Sequence, residues 1–279
     1  MAKISVNFNP SAEYAVHHLA LLERRLQQNM ERVSSGQNIN SAKDDPSGFA
    51  TRERMRATLA TMRQGIKNIQ NGVSLAQTAE GALETIVDLL GRMTELATSA
   101  ASGNVSQEGR EKLDAEFQEV AAEIERLSND TEFNGHKLLD GSLADPGLRI
   151  HFGQGNSAGA DFLYFRVAGT TLADLGLSST TLSSQTDAQA ALAEIKQALA
   201  TVNERLGSVG AFQNRLENMQ ADLSLNLENL QETESVISDA DMAEAVVSVT
   251  QDQVLRQVAM AQLAQANDLA AQAVSLLFK

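Results

Sequence analysis

Apolar positions recur every seven residues along two long stretches of the chain. Met55, Met62, Ile69, Ala76, Leu83, Leu90 and Ala97 form one ladder, and Ala188, Ile195, Val202, Val209, Leu216, Leu223, Leu230 and Ile237 form the other. A helix cannot bury its own stripe, so each ladder predicts a long helix packed along another helix. At about 1.5 Å per residue, an unbroken second helix would span roughly 75 Å, which points to a rod-like building block. Leu59, Ile66, Val73 and Val87 add a second stripe to the first ladder, predicting more than one partner for that helix.

Punctuation between the ladders supplies the remaining elements. Asn9-Pro10 combines an N-cap with proline at the first helical position, and Gly36 ends the helix that follows. In that helix Ala12, Leu19, Leu26 and Val33 step by seven, with Ala15, Leu22 and Met30 between them. Asp45-Pro46 repeats the start signal for a helix that reaches about Ala101, and Ser106 to Leu127 makes a third, seamed by Leu113, Phe117, Val120, Ile124 and Leu127. The segment from Asn129 to Gly147 is turn-like. LRIHF (148–152) and FLYFRVA (162–168) predict a β-hairpin, and 169–186 is Ser/Thr-rich and irregular. Gly207 and Gly210 cost about 2 kcal/mol of helix propensity together and predict a kink or break in the second ladder. Ser238-x-x-Asp241 is read as a capping box opening a last helix that runs to Leu277. The expected fold is mainly α: long antiparallel helices in a rod-like coiled-coil bundle, with a small β insertion at about 141–186.

Composition agrees with a thin aliphatic core. Trp is absent, aromatics make up only 4% and there are three prolines. Net charge is −14, which disfavours a general nucleic-acid binder, because phosphate neutralisation needs clustered Lys and Arg. Residues 1–69 hold ten basic and six acidic residues, whereas 217–279 hold two and ten, so the two ends should attract each other. No cysteine is present, removing disulfides and thiolate chemistry together. No apolar run is long enough for membrane insertion. The first twenty residues lack a signal-peptide core, predicting a protein that stays inside or leaves without a cleaved signal peptide.

Catalytic and metal patterns are sparse, and no catalytic, cofactor-binding or metal residue is assigned. Gly155-Asn156-Ser157-Ala158-Gly159 matches the nucleophile-elbow spacing, but a strand follows it where the elbow needs a helix, so the reading is a hairpin loop. The four histidines give no metal spacing.

Several blocks stand in a fixed order along the chain. They are Ser34-Ser35-Gly36 through Ile39-Asn40-Ser41-Ala42-Lys43-Asp44-Asp45-Pro46-Ser47-Gly48, Asn71 to Leu83, and Thr131-Glu132-Phe133-Asn134-Gly135 on the N-terminal arm. On the other arm they are Arg205 to Leu216, Asp239-Ala240-Asp241-Met242-Ala243 and Leu263-Ala264-Gln265-Ala266-Asn267. Together they cover residues 1–140 and 187–279, and they resemble the terminal signatures of bacterial flagellins.

The resemblance implies an inner domain of terminal helices, residues 1–44 with 239–279, and a helical rod domain, 45–238. About 45 residues separate the arms, which implies a short form lacking large outer domains. It implies a structural subunit, not an enzyme, that is exported by the flagellar type III route and self-assembles into the extracellular flagellar filament for motility. The implied partners are further copies of itself, an export chaperone at the C-terminal segment, and the filament cap and hook-junction proteins. Leu19, Leu22, Leu26, Val33, Val246, Val249, Leu263 and Leu276 are the expected inner-packing residues. Arg92, Leu96 and Glu116 fall where some flagellins meet an animal innate-immune receptor. A hook–filament junction protein shares both terminal signatures and is the alternative.

Overall fold

The computed structural model describes the backbone of residues 9–277 and, except at 270 and 273–277, their side chains. Among them are six helices and two two-stranded antiparallel sheets. In order these are α1 (Pro10–Ser35), α2 (Pro46–Ala100), α3 (Gln107–Asp130), β1 (Glu132–Phe133), β2 (His136–Lys137), β3 (Leu148–His151), β4 (Phe162–Phe165), α4 (Leu172–Leu175), α5 (Gln185–Ser238) and α6 (Met242–Leu277). The chain forms two compact units, 1–57 with 229–279 and 58–228.

In the terminal unit, α1 begins where the Asn9 side chain accepts from the amides of Ser11 and Ala12, with Pro10 in the first turn. It ends at Gly36, which adopts φ 69°, a conformation open to a residue without Cβ. The connector to α2 is held by side chains. The Asp44 carboxylate accepts from the amides of Asn40 and Ser41, and the Ser41 amide foremost keeps its pKa below the ordinary value. Arg52, buried in the first turns of α2, donates to the Ile39 carbonyl and to Gln37 Oε1. This connector is zipped to the one entering α6: Asn38 N–H donates to Ser238 O at 2.7 Å, and Ala240 N–H to Gly36 O at 2.9 Å.

α1 and α6 then run antiparallel. Asn9 Nδ2 reaches the Ala266 carbonyl at 2.9 Å, and Asn29 Nδ2 reaches Asp252 Oδ2 at 2.7 Å. The capping box expected at Ser238 does not form. Asp241 alone caps α6, accepting from the amides of Ala243 and Glu244, while Ser238 closes α5 as a buried residue. Asp241 is the residue whose carboxylate lies within reach of the orphan first-turn amides.

The second unit is built on the two ladders. Ile69, Ala76, Leu83, Leu90 and Ala97 of α2 are fully buried in one cluster with Phe117 and Ile124 of α3 and with Ala188, Ile195, Val202, Val209 and Leu216 of α5. A row that the heptad count passed over, Ala79, Ile86, Met93 and Ala100, is equally buried. α5 runs unbroken through Gly207 and Gly210. Burial of Val202, Val209 and Leu216 on its seam offsets the glycines' propensity cost, so the predicted kink is absent.

The Ser/Thr-rich stretch is less irregular than its composition suggests. It carries α4, opened by a Thr171–Asp174 capping box, and is pinned to α3 by side chains. Ser128 Oγ donates to Thr170 O, Asp114 accepts from the Leu182 amide, and Glu125 accepts from the Leu172 amide.

The β3–β4 hairpin pairs Ile150 with Leu163 and lies against α2. Asn68 Nδ2 donates to His151 O at 2.7 Å. Gly65 and Gly72, one heptad apart, make room for it. A Cβ at Gly65 would stand 2.3 Å from the Phe152 carbonyl oxygen, and one at Gly72 would stand 2.5 Å from Ile150 Cδ1.

Candidate assembly surface

The two faces of α6 differ in a way composition does not announce. At about 100° per residue, Ala245, Asp252, Ala259 and Ala266 fall on one line along the helix. That line and its flanks, Ser248, Val249, Leu255, Arg256 and Leu263, are buried or half-buried. Val246, Val247, Val254, Val258, Met260 and Leu269 lie around the remaining surface and are exposed. The helix therefore turns a line of small and polar residues flanked by Val249, Leu255 and Leu263 inward, and leaves several further large apolar side chains outward.

α1 supplies the facing row. Ala12, Ala15, Leu19, Leu22, Leu26, Asn29 and Val33, spaced by alternating threes and fours, are buried or half-buried. Met30, expected in this seam, is 53% exposed, and Asn29 takes its place. The reason is a partner: Asn29 hydrogen-bonds the carboxylate of Asp252, which is only 1% exposed and also lies 3.5 Å from the Arg25 guanidinium.

Of the residues expected in inner packing, Leu22 and Leu26 are buried within the α1–α6 pair, and Leu19, Val33, Val249 and Leu263 are half-buried. Val246 stands exposed. The side chain of Leu276 lies outside the described residues. The sequence reading missed Asn29 and Asp252; two polar residues interrupting apolar rows of adjacent helices were the available signal. Among the described residues, every large exposed apolar side chain lies on α1, on α6 or on α5 from Leu225 onward.

Arg92 and Glu116 come together on the surface of α2 and α3. The guanidinium donates to Glu116 at 2.5 Å and to Glu95 at 2.8 Å, and these bonds, Glu116 first, raise the Arg92 pKa. Leu96 is 3% exposed, so it lies in the core rather than beside them. Ser157 sits in the β3–β4 loop, where its amide and that of Gly155 donate to the two oxygens of Asp161. That geometry closes a hairpin. Among the described residues no three His, Asp or Glu side chains group as metal ligands, and no helix is long and apolar enough to cross a membrane.

Comparisons with known proteins return one family at both ends. The model of the bacterial flagellin N-terminal helical region matches residues 6–144, and that of the flagellin C-terminal helical region matches residues 192–277. A flagellar filament 30.7 kDa core protein of Treponema maltophilum is 36% identical over 285 residues, covering 98% of this chain and 99% of that protein. A flagellin of Halalkalibacterium halodurans is 37% identical, covering 94% and 95%. Among solved structures, Bacillus cereus flagellin superimposes with a TM-score of 0.50 at 28% identity, covering 56% of this chain and 88% of that one.

Proposed function

The chain belongs to the bacterial flagellin family, a family of structural filament subunits, and on that premise we propose that it polymerises into the extracellular filament through the outward faces of its terminal helices. The observation that carries this reading is the confinement of exposed aliphatic side chains to α1, α6 and the end of α5. A contiguous exposed apolar patch marks an interaction surface, and a head-to-tail contact that does not close produces an open polymer. Leu22 and Leu26, with Leu19, Val33, Val249 and Leu263 beside them, hold the pair together, while Val246, Val247, Val254 and Val258 meet further copies.

The subunit carries no enzymatic activity and reaches the exterior by the flagellar export route. Before export its C-terminal segment is held by a chaperone, and the filament cap and hook-junction proteins contact the two ends of the polymer. Near-full-length similarity to filament proteins supports the bulk subunit over the junction protein. For innate-receptor recognition, Arg92 and Glu116 supply the charged contact and Leu96 supports them from beneath.

Seeded assembly tests the central reading. Val247→Asp and Val254→Asp place a charge on the outer face of α6, and each should abolish filament growth in turbidity and electron microscopy while leaving helicity unchanged. Filaments from both variants at the parent rate would dismiss the outer face as the contact.

A further inference from the structure

Thr201, Glu204, Arg205 and Ser208 follow the three-and-four spacing that puts residues on one face of a helix, here α5. Opposite them, Arg166, Val167 and Ala168 leave the end of β4, and together these side chains line a cavity of about 270 Å³. Ligand pockets usually run from about 300 to 1,000 Å³, so this one suits a small molecule.

The cavity holds a charge without a partner. Arg205 is half-buried, and its Nη1 is fully buried with no hydrogen-bond acceptor among the described residues. Burial foremost pulls the guanidinium below its ordinary pKa, and the charges of Asp174 and Glu204 only partly oppose this. Asp174 is engaged elsewhere, since its Oδ2 accepts from the amide and the hydroxyl of Thr171. Arg166, on the opposite wall, donates from Nε to the Pro146 carbonyl at 3.0 Å and lies 5.2 Å over the Tyr164 ring. Those contacts hold its head in place. Arg92, Lys112, Arg126 and Lys137 of the same unit all stand in ion pairs, whereas among the described residues no carboxylate pairs with Arg166 or Arg205. A guanidinium out of water and unpaired is costly, and a planar carboxylate meeting its fork in two parallel hydrogen bonds offsets that cost.

The rest of the lining accepts hydrogen bonds. Thr201 Oγ1 donates to Gln197 O and Ser208 Oγ to Glu204 O, each at 3.0 Å, so both hydroxyls have their hydrogen on the helix backbone and offer lone pairs. The Glu204 carboxylate is an acceptor as well. Two guanidiniums and one carboxylate leave an excess of one positive charge, which matches a ligand with a single negative charge and donors of its own.

We propose that this cavity binds a small monocarboxylate bearing hydroxyl groups, its carboxylate on Arg205 and Arg166 and its hydroxyls on Thr201, Glu204 and Ser208. The site lies wholly within the unit 58–228, so it stands or falls separately from polymerisation through the terminal helices.

Gluconate is the probe. It is titrated against full-length protein below the assembly concentration, at an ionic strength held constant with sodium chloride, and binding is read by ligand-observed NMR. Binding should saturate, and acetate, with the same charge but no hydroxyls, should bind at least about tenfold more weakly. Arg205→Gln should weaken gluconate at least about tenfold through loss of the charge-assisted pair. Without gluconate the same variant should melt no lower than the parent, because it removes a buried charge that has no partner. Arg166→Gln alters an exposed side chain and should weaken binding with the fold intact. Arg149→Gln, at an exposed arginine outside the cavity, should leave binding unchanged.

Gluconate that fails to saturate overturns the proposal, as does parent-like binding in both Arg205→Gln and Arg166→Gln. Acetate binding as tightly as gluconate overturns the hydroxylated class of ligand. An Arg205→Gln variant that melts well below the parent without gluconate makes that guanidinium a structural element and overturns its assignment as a ligand-binding group.

Discussion

Replacing Gly65 by alanine sets two effects against each other inside one helix. Gly65 lies in the interior of α2, where alanine is better by about 1 kcal/mol because it restricts the unfolded chain and shields the helix backbone. At this position the new Cβ would stand 2.3 Å from the Phe152 carbonyl oxygen and 3.0 Å from its carbon. The obstacle is backbone, and it is held in place, since the Phe152 amide donates to Asp161 O at 2.8 Å and Asn68 holds the adjoining His151 carbonyl. Relieving the clash means lifting the end of the hairpin off α2, an overpacking penalty of about 1–3 kcal/mol.

Gly81 and Gly91 occupy the same helix with nothing within 4 Å of a built Cβ, so they report the propensity gain alone. Urea unfolding of the full-length monomer should place Gly91→Ala and Gly81→Ala about 1 kcal/mol above the parent, with an unchanged slope. Gly65→Ala should fall at or below the parent, so the two classes separate by roughly 1–3 kcal/mol. A Gly65→Ala variant stabilised as much as Gly91→Ala would refute the claim that this glycine exists to seat the hairpin.

Two further tests concern side chains that close turns. The Ser157 amide, then that of Gly155, holds the Asp161 carboxyl below the ordinary carboxylate range, so its folded pKa lies under its unfolded one. Its contribution is complete above about pH 4 and fades as the pH falls through the lower folded value, so amide protection at Gly155 and Ser157 should decline in acid. In Asp161→Asn that acid-dependent decline should vanish; its persistence would show that another group drives it. Asp241→Ala removes the cap of α6 and should lower stability by about 1 kcal/mol, whereas Ser238→Ala, which takes away no cap bond, should cost less. Equal losses at the two positions would return the capping role to Ser238.

Much of the fold was legible because it rests on local rules. The start of α1 at Asn9-Pro10, its end at Gly36, the unit of α2 from Asp45-Pro46 and the strand pair around Ile150 and Leu163 follow from residues within a few positions of one another. Heptad counting found the buried row from Ile69 to Ala97 but not the neighbouring row from Ala79 to Ala100, whose alanines signal little when read singly. The break expected at Gly207 was wrong because a propensity penalty is local, whereas the burial that overrides it depends on chain more than a hundred residues away. The assembly surface was half legible for the same reason. Apolar residues in the terminal helices could be named, but which of them face inward depends on pairing with a helix more than two hundred positions away, as the Asn29–Asp252 bond across the pair illustrates.

The loop that Asp161 closes has a bearing on how such a chain could grow. Phe152 and Gly153 both donate to the Asp161 carbonyl, and its carboxylate gathers the amides of Gly155 and Ser157, so the two strand ends are already joined at the base of the tip. Sequence added between Gly155 and Ser157 would begin and finish at neighbouring points, and doubling such an insert would add only about 0.6 kcal/mol of closure entropy. The exposed tip is thus a port at which a whole extra domain can be grafted while the buried ladders beneath it remain undisturbed.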